Sequence, residues 1–258
     1  MQNKLPSVLR GVKQTAISAL LLWALWESSR WVFFWSGAVF SDYLFPSSLQ
    51  IVSKIPAVVL ESFKPLVLTS LTVVAVIIFS IVVAFMAGIF FKKNRGAYRN
   101  VRDGWDILRS IPPSILFPFF VLIFGFHAFS KFAVPAYFAS LYLSLLVADS
   151  LMKRPQAVEL HWERIGLSKL RALRYLTLPI VLFSIASGIR LTASLTVALV
   201  IICEMFLGAP QGVGGKILNY SESQNLDKML ALALVTGFLG ALFNRVIDAI
   251  AGAAESAT

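Results

Sequence analysis

Leu66 to Phe91 is a run of 26 residues without a single charged side chain. A run of that length and composition cannot be covered by a chain this size in water. As a helix it would measure about 39 Å, more than the roughly 30 Å hydrocarbon core of a bilayer. The chain is therefore read as an integral membrane protein. Composition agrees: 58% of its 258 residues are hydrophobic and 14% charged, with a mean hydropathy of +0.79. A soluble domain carries about 25% charged residues.

Five other stretches fit the same role. The expected spans are Thr15–Val39, Leu66–Phe91, one starting near Ile111, Phe132–Val147, Ile180–Leu207 and Met229 to about Ile250. The expectation is an all-α, polytopic protein of six transmembrane helices, one domain over 1–258. An N-terminal tail covers 1–14, and the closing residues AGAAESAT are expected to fray. Pro112, Pro113 and Pro118 predict a kinked or unwound start to the third span. Irregular backbone survives at membrane depth only where protein or a water-filled cavity covers it. Ser41–Pro65 is broken by three prolines, and SLQIVSKIPAVVLESF within it has helical periodicity suited to the outer interface. Residues 208–228 read as a glycine-rich loop.

Basic residues set the orientation. With the N-terminus inside, the cytoplasmic segments hold sixteen of the 23 Lys and Arg, and the outer segments hold five. Arg30 and Arg190 lie within spans. Lysine and arginine accumulate on the cytoplasmic side, so both termini are expected inside the cell, as is the loop of about 151–179. The same rule accounts for the net charge of +10 without invoking nucleic acid.

Chemistry is sparse. His127 and His161 lack metal-ligand spacing, no serine sits in a nucleophile elbow, and the lone Cys203 excludes an internal disulfide. Gly212, Gly214 and Gly215 are not followed by the Lys-Ser/Thr of a phosphate loop. Neither an enzyme nor a metal centre is expected. Inside the first span, Glu27 and Arg30 sit three apart and can pair on one helix face. In the fifth span, Arg190 and Glu204 are 14 residues apart, about 21 Å along a helix, so neither can pair with the other. Arg190, with Ser187 and Ser194 on its face, lies about 16 Å past Pro179, near the bilayer middle. It either faces a translocation path or pairs with Asp149 or Asp248. Glu204 carries the same two readings.

The 151–179 loop has the grammar helix, glycine, helix, proline. Gly166 can end one short helix and Ser168 can cap the next. In the second helix Leu167, Leu170 and Leu173 form an apolar stripe beside Arg171 and Arg174. Gly166, nine residues, Leu176, one residue, Leu178 and Pro179 resemble the signature loop of permease subunits of bacterial ATP-binding-cassette importers. The family's preceding Glu-Ala-Ala falls on Leu160, His161 and Trp162, with Glu159 one place early, so the first half of the pattern departs. LRSIPPSILFPFFVLIFGFHAFSK and EMFLGAPQGVGGKI resemble the subfamily that carries nitrate, sulfonates and taurine. The likeness covers roughly Leu44 to Ile217. It implies the fold of a type I importer permease in the bacterial inner membrane, and a second copy of the subunit or a related permease as partner. It also implies two cytoplasmic ATPase subunits that bind ATP and Mg, and an extracytoplasmic substrate-binding protein. This chain itself would hold no cofactor. Glu159, Leu160, His161, Gly166, Leu167, Leu170, Arg171, Leu176, Leu178 and Pro179 would form the loop that couples to the ATPase. An ion-driven secondary transporter is the alternative, though no inverted repeat is visible. A membrane-embedded lipid enzyme is a more remote one.

Overall fold

The computed structural model describes residues 5–35, 45–152, 168, 171, 178–209 and 211–255. Among these there are nine α-helices and no strand. They are α1 (Leu5–Trp35), α2 (Ser48–Glu61), α3 (Phe63–Lys93), α4 (Arg95–Ser110), α5 (Pro113–Phe124), α6 (Ala128–Met152), α7 (Leu178–Phe206), α8 (Val213–Glu222) and α9 (Leu226–Glu255). Four of these helices contain a segment apolar and long enough to cross a bilayer: Phe63–Lys93, Phe129–Met152, Gly188–Phe206 and Leu226–Ala249. The bent α4–α5 pair could make a fifth.

The chain divides into two compact units. In the first, residues 1–61 and 219–235, Glu27 and Arg30 approach to 3.6 Å. Glu27 also accepts hydrogen bonds from the Ser48 amide and hydroxyl at 3.0 and 2.6 Å, which ties α1 to the start of α2. At the other end of α2, Glu61 accepts from the Tyr220 hydroxyl (2.8 Å) and pairs with Lys228 (2.9 Å). The periodic stretch of the 41–65 segment is thus a helix with its own polar anchors.

In the second unit, residues 62–218 and 236–258, α6 is the central post. Its residues Leu143, Val147 and Leu151 are buried with Ala84 of α3 and Ile189 of α7. Phe117 and Val121 of α5 pack against Val134 and Phe138 of α6 and Cys203 of α7, so the lone thiol is a core residue. At the far end of α6, Asp149 accepts from the Tyr98 hydroxyl and lies 3.6 Å from Arg102, both on α4.

The interrupted third span is visible in detail. α4 and α5 meet at 98°, with Ile111 and Pro112 outside either helix. Pro112 and Pro113 have no N–H, so the Arg109 carbonyl loses both of its usual helical donors. Pro113 then opens α5, where a missing N–H costs nothing. Gly125, at φ 74°, ends it.

Several boundaries differ from expectation. The fourth span is not short: α6 runs from Ala128 to Met152, because the polar Ser130, Lys131 and Asp149 near its ends find partners. Residues 5–14 of the expected tail are helical, and residues 251–255 complete α9 instead of fraying. The glycine-rich 208–228 segment contains α8. The glycines disfavour a helix, but tertiary partners for its first N–H groups override the propensity, as shown next.

Candidate functional site

Glu204 lies two residues from the end of α7 and is fully buried. It accepts hydrogen bonds from the Thr69 hydroxyl of α3 at 2.9 and 3.0 Å and from the Gly214 amide at 3.1 Å. Lys131, near the start of α6, approaches to 3.2 Å. Thr69 in turn accepts from the Val213 amide at 3.1 Å. Both α8 amides belong to its first turn, where helix N–H groups have no internal acceptor and a negative charge is favoured. One carboxylate therefore joins the same-side ends of α3, α6 and α7 to the start of α8. Glycine is required at two points. A Cβ on Gly212 would overlap the Glu204 carboxylate, and one on Gly214 would strike the Ile201 carbonyl. The carboxylate also gives these glycines an acidic neighbour, the reverse of what a phosphate loop presents. Of the two readings left open for Glu204, the structure draws the enclosed interhelix pair. Its partners Lys131 and Thr69 were not legible in sequence, since Thr69 stands 135 residues away.

Arg190 sits elsewhere on α7. It pairs with Asp248 of α9 at 2.8 Å, and both side chains are about half exposed (46% and 50%). One turn along, Ser194 and Asn244 exchange hydrogen bonds at 2.9 and 3.3 Å. The two contacts form an antiparallel polar seam between α7 and α9. Asp149, the other partner considered for Arg190, is instead taken by Tyr98 and Arg102. Ser187 belongs to α7, and its side chain lies outside the described residues.

Beside the α4–α5 break is a groove of about 370 Å³ lined by Arg109, Ser110, Pro113, Tyr142, Thr192 and Thr196 among others. Residues flanking the break thus stand beside mid-α6 and mid-α7 residues, while Ser110 and Pro112 are themselves exposed. Arg109, its one charge, is paired with Asp106 at 2.9 Å. No group of three or more His, Cys, Asp or Glu suited to a metal occurs among the described residues.

Of the expected coupling-loop residues, Glu159, Leu160, His161, Gly166, Leu167, Leu170 and Leu176 lie outside the described residues. Arg171 is helical and exposed, and Leu178 and Pro179 are the first two residues of α7.

These features describe a multi-helix membrane subunit with buried polar ties and no catalytic constellation among the described residues. Residues 80–257 match the family described as "Binding-protein-dependent transport system inner membrane component". The chain belongs to that family, the permease components of binding-protein-dependent ATP-binding-cassette importers of the bacterial inner membrane. A curated relative is the formylaminopyrimidine transport permease protein ThiX of Halalkalibacterium halodurans. It is 26% identical over 196 residues, 76% of each chain. Among solved structures, the chain is similar to one from an inward-facing MetNI methionine ABC transporter in its native crystal form. The TM-score is 0.63 at 19% identity, covering 75% of this chain and 95% of that one. A selenomethionine-soaked crystal form gives 0.61 at 21%, with 72% and 92% covered. These likenesses support the fold.

Proposed function

We infer that this chain is a six-span, single-domain permease of the type I importer class with both termini in the cytoplasm. α1, α3, α5, α6, α7 and α9 are the six spans. Two copies form the translocation path between them, and two cytoplasmic ATPase subunits bind ATP and Mg and dock on the 151–179 loops. An external binding protein delivers a small nutrient, of the nitrate, sulfonate and taurine class or a related small organic compound such as the formylaminopyrimidine named for the 26%-identical relative. The family match over 80–257, which includes the entire loop, is the observation that carries this reading.

The loop is the place to test it. Cysteines at Leu167 or Leu170, in a background lacking Cys203, should cross-link to the ATPase partner. No cross-link at either position would remove the docking assignment. Arg190, Ser187 and Ser194 remain candidates for the path, Arg190 and Ser194 through the half-open seam with α9. Glu204 is assigned to holding the helix ends.

A further inference from the structure

α4 carries its apolar and basic residues on separate faces. At 3.6 residues per turn, Ala97, Val101, Gly104 and Leu108 fall within an arc of about 60°. Arg95, Arg99 and Arg102 occupy an arc of about the same width on the opposite side. Between the two, Tyr98 and Trp105 turn onto Phe91 of α3, with ring centroids 5.5 and 5.3 Å away. They pack there with Leu145, Ala148 and Met152 of α6. α4 is thus held against the ends of two spans, and its apolar stripe is left uncovered. Val101 and Leu108 are 40% and 42% exposed, and neighbouring Ile107 is 67% exposed.

The helix lies where a bilayer surface would be. One residue, Asn94, separates it from α3, and it meets α5 at 98°. If α5 crosses the bilayer, α4 runs nearly parallel to the membrane plane at the level where α3 emerges. A helix is about 10–12 Å wide with its side chains. An amphipathic helix in this setting sinks its apolar face into the acyl boundary and keeps its charged face among the headgroups.

Charge selects the lipid. Lys92, Lys93, Arg95, Arg99, Arg102 and Arg109 stand against Asp103 and Asp106 in this stretch. Arg102 and Arg109 are paired with Asp149 and Asp106. Among the described residues no carboxylate pairs with Lys93, Arg95 or Arg99. The α4 of a second copy would bring the same positive charge. A neutral lipid would cover the stripe and leave these cations unmatched. An anionic phospholipid supplies acyl chain for the one face and phosphate for the other, and guanidinium groups bind phosphate through paired hydrogen bonds.

We propose that α4 is a seat for anionic phospholipid of the cytoplasmic leaflet. Val101 and Leu108 enter the acyl boundary, and Lys93, Arg95 and Arg99 hold headgroup phosphates. The seat depends on the topology inferred above, with α3 and α5 as spans and α4 on the cytoplasmic side.

The test places the full chain in nanodiscs of mixed phosphatidylcholine and phosphatidylglycerol, and native mass spectrometry reads which lipid stays bound on release. Phosphatidylglycerol should be retained over phosphatidylcholine by about fivefold or more, the contribution of one cation at an anionic surface. Lys93→Gln with Arg95→Gln and Arg99→Gln should bring the ratio near one. Arg95→Lys with Arg99→Lys, which keeps the charge, should hold most of the preference. Fluorophores on cysteines at Val101 and Leu108, in a background lacking Cys203, should be quenched by lipid spin-labelled near the headgroup and not by aqueous iodide. A parental ratio near one, an unchanged ratio in the glutamine variant, or iodide quenching at both positions would each overturn the proposal. So would loss of lipid quenching when the ATPase partner is added, which would give this face to a protein. ATP-dependent uptake separates the two levels. Uptake through a chain with no lipid preference would sink the seat and keep the importer. A lipid-seated α4 in a chain that supports no ATP-dependent uptake would keep the seat and sink the importer.

Discussion

Lys131 and Glu204 form an unequal pair, and the inequality predicts which substitution is worse. Glu204 is fully enclosed while Lys131 keeps 15% of its side chain exposed. Removing the lysine leaves a carboxylate with no route to water. Removing the carboxylate leaves an ammonium on a flexible stem that can turn outward. Breaking a buried pair from one side costs about 3–5 kcal/mol, and Lys131→Met should fall in that range while Glu204→Gln costs clearly less. The double variant should recover much of the loss, as a thermal-melt double-mutant cycle in nanodiscs would show. Arg190 predicts the opposite pattern. It and Asp248 are half exposed, so Arg190→Ala should leave the protein level near that of the parent. If the seam borders the path, uptake should fall. Normal uptake at normal level would remove Arg190 from the path, and a reduced level would make the pair structural.

Among the elements, α8 separates what sequence could show from what it could not. The long spans were legible because twenty or more apolar residues have no soluble alternative, and the proline-broken start of the third span followed from missing N–H groups. α8 was not legible. Its first turn contains Gly214 and Gly215, and the partners that hold it, Thr69 and Glu204, lie on two other helices. For Arg190 the sequence offers Asp149 and Asp248 alike, and only the antiparallel run of α9 beside α7 brings Asp248 to 2.8 Å. The same reasoning ranks two substitutions. A methyl at Gly214 meets the Ile201 backbone carbonyl inside α7, which cannot turn aside. One at Gly212 meets the end of a side chain, though a tightly held one. Gly214→Ala should therefore destabilise more than Gly212→Ala, by about 1–3 kcal/mol for overpacking. Equal losses in melting temperature would mean that the Glu204 carboxylate is held as rigidly as the Ile201 backbone, and no loss for Gly212→Ala would mean that Glu204 does not hold α8.

At the scale of the whole molecule, the importer reading asks where an ATPase partner would act on this chain. Under the proposed function, force would enter at the loop between α6 and α7, which joins the central post of the second unit to the helix bearing both Arg190 and Glu204. Its position depends on topology, and topology rests on sixteen basic residues against five. A reporter fused after Arg174 should behave as cytoplasmic and one after Ser221 as periplasmic. The reverse pair of results would put the loop beyond reach of any cytoplasmic ATPase. Given the expected topology, Gly166 becomes the critical joint. The loop pattern asks it to turn one short helix into the next, through backbone angles that a β-branched side chain disfavours. Gly166→Val should misdirect the second short helix while the spans, which satisfy their own backbone bonds in lipid, still insert. The subunit should reach the membrane at parental level. The Leu170 cysteine cross-link to the ATPase should weaken or vanish, and ATP hydrolysis should continue without uptake. Uptake at the parental rate would show that the glycine turn transmits nothing, leaving the loop a solvated tether and moving the point of coupling to another cytoplasmic surface, with α4 and its arginines the first to examine.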